Sequence, residues 1–476
     1  MAGITNPPGG SGSSSSSGTR MTVALWEATR GAAPYYLAHR GSGDIYPEHS
    51  LAGYEAAYQA GARAMEVSVV RTADGVLMCN HDLTWTRTTT LTGSASAFPT
   101  AALRGVTHLP LGLGPAWTTH AERPPLFEDV LRRFGGRAVL ICEAKDDAAY
   151  PAMMAMVERY GLSDCVMVKA FYTSSRIAQA KAAGYKTFSY FGVESDITSG
   201  NIATVVAQAP SYFVIPTYGA TATALVSDAN VALCVASGLP VWVYQTHRRA
   251  DAAHMAALGV VGVVSAGYPY VARSTAFMTR DSWAQQAIVP GELTVDPSGA
   301  VAGAYPQWVG TNVIRLARTA RHFLLLGQLC PLPAAAGSYT ITFDASWQTL
   351  PADLTTNLQI AFGRSTDDFY EFQFGRGSGN HAMLRANGSV QLYTHADGST
   401  SGTQIGTTGV TLTSTPVAGT WYACTLAVTP TTITWTVNDG TAHTVTVTNS
   451  TYRGGYVHIG KGSTDGVVDF RNLIVT

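Results

Sequence analysis

Six residues in the first third of the chain have side chains that could act together on a phosphate group. A pair of histidines can supply a general base and a general acid on opposite sides of a scissile bond. A carboxylate-bound divalent cation, with arginine and lysine, can neutralise a phosphodiester oxygen. These residue types therefore indicate phosphoryl chemistry. The six residues are His39, Arg40, Glu66, His81, Glu143 and Lys145.

Each of these residues alone also has an ordinary structural explanation. A single histidine at a strand end is more often structural, and a glutamate there is usually solvated or paired. The convergence of all six on one rim is what favours a site. In barrels of parallel strands, functional side chains gather at the C-terminal strand ends, so the elements around these residues decide whether they meet.

Residues from about 34 to 270 alternate short apolar runs with amphipathic or alanine-rich stretches. The runs are rich in β-branched and aromatic residues, which is typical of strands, and several stretches between them end in glycine, a common helix stop. Eight such units predict a (β/α)8 TIM barrel over residues 34–272, with a doubly wound open sheet as the alternative. The runs are YYLAHR, AMEVSVV, AVLICEA, CVMVKA, KTFSYF, YFVIP, LPVWVY and VVGVVS.

After residue 272 the helical period gives way to alternation of apolar and polar residues, as in 339–345, 370–374, 422–428 and 433–437. Asn438-Asp439-Gly440 adds a turn signal. This pattern predicts an antiparallel β-sandwich over residues 273–476. Residues 1–33 begin with a Gly/Ser-rich stretch and are predicted to be a flexible segment. The predicted fold class is thus α/β plus all-β, a TIM barrel followed by a sandwich.

Composition excludes some classes of partner. Lys plus Arg is 30 and Asp plus Glu is 31, so nucleic acid is not expected as a partner. Without an apolar run of 18 residues, no membrane span is expected. The N-terminus has neither a basic region nor an apolar region of the Sec-signal type. The six cysteines form no CxxC motif, which predicts buried free thiols, with a Cys330–Cys424 disulfide as the alternative.

Three segments resemble the signature segments of the glycerophosphodiester phosphodiesterases: HRGSGDIYPEHSLAGYEAAYQAGA, MEVSVVRTADGVLMCNHD and ICEAK. The resemblance is ordered along more than 100 residues and continues weakly to LGVVGVVSAGYP. It implies that His39 and His81 are the catalytic histidines. It also implies that Arg40 contacts the phosphate, with Lys145 near the same oxygens. Glu66 and Glu143 would be carboxylate ligands of a Ca²⁺ or Mg²⁺ ion. Glu48 would make a supporting hydrogen bond, or it would cap the helix that begins near PEHS.

The chain departs from that family at the implied metal site. Ser68 stands where the family has a third carboxylate, an aspartate, so the predicted ligand set is Glu66, Glu143 and Ser68. A hard cation prefers charged oxygen ligands, and Asp44 or Asp82 could supply the missing carboxylate. Gln245 and Ser265-Ala266 also differ from the usual Asn and Thr-Asp, which could mark altered substrate choice or a weakened catalyst.

The resemblance implies metal-dependent hydrolysis of glycerophosphodiester bonds, in small diesters or in a cell-wall polymer such as teichoic acid. The alternatives are a non-catalytic receptor-binding or structural phage tail protein and a phospholipase on the same barrel. The second domain is similar to concanavalin-A-like lectin/laminin-G jelly rolls, which suggests a cell-surface glycan as ligand. We expect an extracellular or virion-associated protein, in which a homotrimer or larger virion assembly would fit. The candidate glycan contacts, for which a core position is the stronger explanation, are Trp347, Tyr393, Trp421 and Trp435.

Overall fold

The structure is a computed structural model of the 476-residue chain. It describes residues 19–109, 122–219, 224–272, 292–294, 307–309, 312–317, 319, 321–328, 337–368 and 377–476.

Eight parallel strands of the first half close into a barrel, because the first strand pairs with both the second and the last. This confirms the predicted TIM barrel and rules out the open sheet. Each strand matches one of the eight apolar runs. The strands are β1 (Tyr35–Ala38), β2 (Ala64–Arg71), β4 (Val139–Ala144), β5 (Val166–Phe171), β6 (Thr187–Tyr190), β7 (Tyr212–Pro216), β8 (Val241–Thr246) and β9 (Gly262–Ser265). The short β3 (Leu77–Cys79) pairs antiparallel with β2 as a hairpin.

Except for the first, the helices follow the barrel strands and cover their outward faces. Met65, Val67 and Val69 of β2 point outward, where they pack with apolar residues of the helices. The intervening residues of each strand point into the barrel, because side chains alternate along a strand. The helices are α1 (Val23–Thr29), α2 (Leu51–Gln59), α3 (Phe127–Phe134), α4 (Ala149–Arg159), α5 (Arg176–Ala182), α6 (Ser199–Gln208), α7 (Asp228–Val235), α8 (Arg249–Ala257) and α9 (Tyr268–Val271).

The prediction of a flexible segment over residues 1–33 is wrong for its later part. Residues 1–18 lie outside the described residues, but helix α1 forms at Val23–Thr29, and the Thr22 side chain accepts a hydrogen bond from the Leu25 amide as its N-cap. Val23 and Trp26 are buried in the cluster that fills the N-terminal end of the barrel. Burial of this apolar face stabilises the helix although glycine and serine precede it.

The second domain consists of two seven-stranded antiparallel sheets that share one apolar core, which confirms the predicted sandwich. Trp347 and Trp435 lie fully buried in this core. The predicted strand at 370–374 is outside the described residues. One sheet contains β10 (Glu292–Thr294), β13 (His322–Gln328), β15 (Asn357–Gly363), β16 (Gly379–Arg385), β17 (Val390–His395), β18 (Thr403–Ile405) and β22 (Gly454–Lys461). The other contains β11 (Gln307–Trp308), β12 (Val313–Leu316), β14 (Tyr339–Thr349), β19 (Tyr422–Val428), β20 (Thr432–Asn438), β21 (Ala442–Thr448) and β23 (Val467–Val475).

The sandwich contacts the barrel around Asp367. Its carboxylate accepts hydrogen bonds of 2.7 Å from the backbone amides of Arg249 and Ala250 at the start of α8, and from the Tyr270 hydroxyl. Tyr456 of β22 packs in a barrel-side apolar cluster. The predicted boundary at 272/273 adjoins residues 273–291, which are not described.

The described cysteines confirm the prediction of buried free thiols. Cys79, Cys142, Cys165, Cys234 and Cys424 are all buried and unbridged, and Cys330 is outside the described residues. In the part of the chain that the structure describes, no helix is long and apolar enough to cross a membrane.

Candidate active site

The inward-facing positions of β2, β4 and β5 change from apolar to charged toward their C-terminal ends. On β2, Glu66 and Ser68 follow Ala64, which belongs to the apolar cluster inside the barrel. Glu143 of β4 and Lys169 of β5 each follow an inward apolar residue two positions earlier. Because parallel strands bring the same ends together, these side chains meet at the C-terminal rim of the barrel.

The turn after β1 places His39 and Arg40 at this rim. It is a 3-10 turn over His39–Gly41 that packs on helix α2. Gly41 has φ of +78°, and a Cβ there would lie 2.9 Å from the backbone nitrogen of Tyr54. Only glycine tolerates both conditions. Arg40 also has a left-handed backbone, with φ of 52°, a conformation that is held by its surroundings at functional turns.

Glu66, Glu143, Lys145 and Lys169 form what we call the central cluster. The Lys169 ammonium lies 3.0 Å from Oε1 of Glu66 and 3.3 Å from Oε2 of Glu143. The Lys145 ammonium is 3.0 Å from Oε1 of Glu143, and the Tyr190 hydroxyl donates a 2.8 Å hydrogen bond to the same oxygen. Two carboxylates and two ammonium groups are therefore buried side by side.

The charges of the central cluster hold both carboxylates ionised. Burial raises the pKa of Glu66, but Lys169 and Arg40 lower it more, and the pKa falls to about 2. For Glu143, burial is again outweighed, by Lys169 and Lys145, and the pKa is about 2. Burial lowers the pKa of Lys169, yet the two glutamates raise it above its ordinary value. At neutral pH these three groups are therefore charged.

Both histidines predicted to be catalytic lie at the rim and are neutral at neutral pH. Nε2 of His39 is 3.9 Å from Oε2 of Glu66, and burial and Arg40 hold the pKa of His39 well below its ordinary value. Nδ1 of His81 is 2.7 Å from Oδ1 of Asp82. Burial and Arg40 lower the pKa of His81 to about 4. Since the Asp82 carboxylate can only accept, Nδ1 carries the hydrogen and Nε2 keeps a lone pair.

Arg87 is a rim residue that sequence reasoning missed. Its guanidinium lies 2.7 Å from Asp82 and 2.7 Å from Glu48, and Glu48 is in turn 3.3 Å from the Arg40 guanidinium. Arg87 thus connects the loop of His81 to the loop of Arg40. Glu48 does not cap α2, because the N-cap of that helix is Ser50. No local pattern in TWTRTTT marks Arg87, whose partner Glu48 is 39 residues away.

The two aspartates suggested as substitute metal ligands are engaged elsewhere. Oδ2 of Asp44 is 2.6 Å from Nδ1 of His247, and Asp82 is held by His81 and Arg87. The described residues contain no group of three or more His, Cys, Asp or Glu side chains placed to hold a metal ion.

The predicted ligand set does not fit a divalent cation. The register pairs Ser68 with Glu143, so Glu66, Glu143 and Ser68 do come together. However, the Lys169 ammonium already contacts both carboxylates, and Ser68 offers a neutral hydroxyl in place of a third charged oxygen ligand. Two carboxylates that share an ammonium, together with one neutral hydroxyl, are a poor set of ligands for a hard cation.

A closed parallel barrel whose C-terminal rim holds two histidines and a buried cluster of charged side chains has the architecture of a TIM-barrel enzyme. Residues 39–265 match the sequence model of the Glycerophosphoryl diester phosphodiesterase family. This stretch runs from the first histidine of the rim to the end of β9, so the match covers nearly the whole barrel.

Individual relatives agree with that match. "Probable glycerophosphodiester phosphodiesterase 1" of Mycobacterium tuberculosis is 44% identical over 71 residues, which are 15% of this chain and 26% of that protein. A glycerophosphodiester phosphodiesterase of Bacillus subtilis is 32% identical over 125 residues, 25% of this chain and 42% of that protein. The chain thus spans less than half the length of these two curated relatives.

Two solved structures are similar to half of the chain. The glycerophosphodiester phosphodiesterase of Agrobacterium tumefaciens has 21% identity and a TM-score of 0.39, and 50% of this chain covers 98% of it. A phosphodiesterase of Oleispira antarctica, solved with the product sn-glycerol-3-phosphate, has 19% identity and a TM-score of 0.42. The match covers 50% of this chain and 96% of that protein.

Proposed function

We propose that the barrel hydrolyses glycerophosphodiester bonds at its C-terminal rim, with His39 and His81 as the acid–base pair. The observation that supports this is that two neutral imidazoles lie beside a set of buried and partly buried cations formed by Arg40, Lys145 and Lys169. A phosphodiester is an anion, and its reaction needs both proton transfer and charge neutralisation. The family match over the barrel supports the same reaction.

In the proposed reaction a glycerol hydroxyl of the substrate, or a water, attacks phosphorus and gives its proton to one histidine. The bond from phosphorus to the leaving oxygen breaks, and the other histidine, which gains its proton beside the bound anion, protonates the departing alkoxide. Attack by the glycerol hydroxyl gives a cyclic phosphate, which water then opens. Arg40 and Lys145 neutralise the phosphoryl oxygens as charge builds on them.

The substrate class is a glycerol-linked phosphodiester, either small or part of a cell-wall polymer such as teichoic acid. The sandwich would hold the enzyme at a cell-surface glycan, on an extracellular or virion-associated protein. Trp347 and Trp435 are core residues and cannot contact a glycan. Trp421, half-buried with the Arg471 guanidinium 4.0 Å above its ring, and the half-buried Tyr393 remain candidates for that contact.

Replacing either histidine tests the catalytic assignment. We expect His39→Ala and His81→Ala each to lower kcat for release of glycerol phosphate from glycerophosphocholine by about 10²–10⁴-fold, because each removes one proton-transfer group. His254→Ala is the control, since His254 is exposed on α8 and pairs with Asp228 away from the rim. Wild-type rates in both rim variants would contradict the proposal.

A second candidate function is binding without turnover, as in a receptor-binding or structural tail protein. Ser68 at the position of an implied carboxylate ligand is the observation that favours it. Retention of purified teichoic acid or glycerophosphocholine without release of glycerol phosphate would support this function over hydrolysis. Release of headgroup from intact lipids would instead identify a phospholipase.

A further inference from the structure

We propose that Lys169 replaces the divalent cation of this site, so that its ammonium is the built-in positive charge between Glu66 and Glu143. The contribution of Lys169 to neutralising the reacting phosphate rests on the proposed function. Which cation the two carboxylates hold can be measured whether or not the barrel is an active hydrolase.

The contacts of Lys169 place its ammonium between the two carboxylates. Nζ lies 3.0 Å from Glu66 and 3.3 Å from Glu143. It also lies 4.7 Å from the centre of the Tyr190 ring and 5.4 Å from that of Tyr244, within the range of cation–π attraction. The side chain is only 7% exposed. The surrounding groups therefore fix the ammonium where a metal ion held by both glutamates would have to lie.

The charges around Glu66 and Glu143 favour a single positive charge, and not a divalent ion, between the two carboxylates. The central cluster of Glu66, Glu143, Lys145 and Lys169 carries two negative and two positive charges and so has no net charge. An aspartate at position 68 and no lysine at position 169 would leave a net charge of −2, a set suited to a divalent ion. The serine and the lysine thus both change the site in the direction that disfavours a divalent ion. Any such ion would also face the Lys169 ammonium across the same carboxylate oxygens.

Lys169 can still assist the reaction from this position. An ammonium has three N–H donors. One N–H of Lys169 donates to Glu66, and a second is directed toward Glu143 by the ion pair. The third N–H can then donate to a phosphoryl oxygen. Lys169 transfers no proton in this scheme. The bonds made and broken at phosphorus, and the two proton transfers by the histidines, stay as described above, and the lysine contributes only charge.

The first test measures Mn²⁺ binding by the full-length, chelator-treated protein with isothermal titration calorimetry and electron paramagnetic resonance. We expect no stoichiometric Mn²⁺ site in the wild type and a site of one Mn²⁺ per chain in the Ser68→Asp/Lys169→Met double variant. Binding of one Mn²⁺ per chain by the wild type, lost in Glu66→Gln, would overturn the proposal. Because the comparison of the wild type with Glu66→Gln does not use Lys169→Met, it decides the question even if Lys169→Met unfolds.

The second test measures release of glycerol phosphate in EDTA and in Mn²⁺. We expect the wild type to keep its full rate in EDTA and Lys169→Met to lose about 10²-fold, the usual effect of removing one group that stabilises transition-state charge. Mn²⁺ should raise the rate of the double variant at least tenfold. Lys181→Met, on the exposed face of α5, is the matched control. Loss of wild-type activity in EDTA, restored by Mn²⁺, would overturn the proposal.

The two proposals fail in different ways. A wild type that binds no Mn²⁺ and releases no product under either condition would refute hydrolysis and still support Lys169 as the resident cation. A wild type that releases product only with a bound metal would refute the role of Lys169 and still support hydrolysis.

Discussion

At the scale of single residues, the site depends on charges that are buried and paired. Glu66 and Glu143 have little access to water, and each meets at least one ammonium within 3.3 Å. Burying a charge is costly unless another charge and hydrogen bonds compensate. Removal of one partner therefore affects stability as well as chemistry, which is why the experiments on Lys169 combine a wild-type measurement with variants.

Acid should destabilise the protein through these two glutamates. Their pKa is about 2 in the folded protein, against about 4.3 for an unfolded glutamate. The stability that they contribute is therefore present above about pH 4.3 and is lost as the pH falls toward 2, by up to about 3 kcal/mol for one carboxylate. Urea unfolding of the wild type and of Glu66→Gln at pH 6 and pH 2.5 measures this. An equal pH dependence in the two proteins would contradict the expectation.

At the scale of elements, the rim depends on how closely the turn after β1 packs on helix α2. The turn holds His39 and Arg40, and Gly41 is where it meets the helix backbone at Tyr54. A loop after β3 supplies His81, and Arg87 of that loop binds Glu48. The rim is thus assembled from separate loops whose positions depend on one another.

Gly41→Ala should separate the turn from α2. We expect a loss of about 1–3 kcal/mol in the free energy of unfolding and a lower kcat, because the added Cβ would lie 2.9 Å from the Tyr54 nitrogen. Gly61→Ala is the matched control: its φ of +103° is also left-handed, but no atom lies within 4 Å of the added Cβ. The control therefore measures the backbone effect alone. Equal losses of stability and activity in both variants would show that the contact with α2 is unimportant.

At the scale of the whole molecule, the barrel and the sandwich share a contact that buries a carboxylate. Asp367 of the sandwich accepts hydrogen bonds from two backbone amides at the start of α8, which have no partner within the helix. The negative charge also lies at the positive end of the helix dipole. The sandwich thus stabilises a helix of the barrel.

Asp367→Ala should weaken the connection between the two domains. We expect the free energy of unfolding of the barrel to fall by about 2–4 kcal/mol, since hydrogen bonds to a charged group are lost in a buried place. Differential scanning calorimetry should then show wider separation between barrel and sandwich transitions. Asp353→Ala is the control, because Asp353 is an exposed aspartate of the sandwich whose carboxylate accepts hydrogen bonds from Thr355 of the same loop. If both variants unfold like the wild type, Asp367 does not couple the domains.

The sequence alone determined the barrel strands, the sandwich and most of the rim. Runs such as AVLICEA and VVGVVS carry the strand period in their own residues. Three runs carry His39, Glu66 and Glu143, and His81 follows the hairpin after AMEVSVV. These features are local, because a strand or a turn is favoured by the residues within it. A barrel then brings the C-terminal strand ends to one rim whatever the details of packing.

Only the tertiary structure decided what the charged side chains do there. Lys169 lies in VMVKAF with nothing nearby to mark it, and its partner Glu66 is 103 residues away. Helix α1 forms next to a Gly/Ser-rich stretch because Trp26 is buried at the base of the barrel. Charge pairing and burial depend on which distant segments meet, and a local pattern does not specify that. The sequence could therefore name the histidines and glutamates of the rim, while the cation between Glu66 and Glu143 emerged only from the fold.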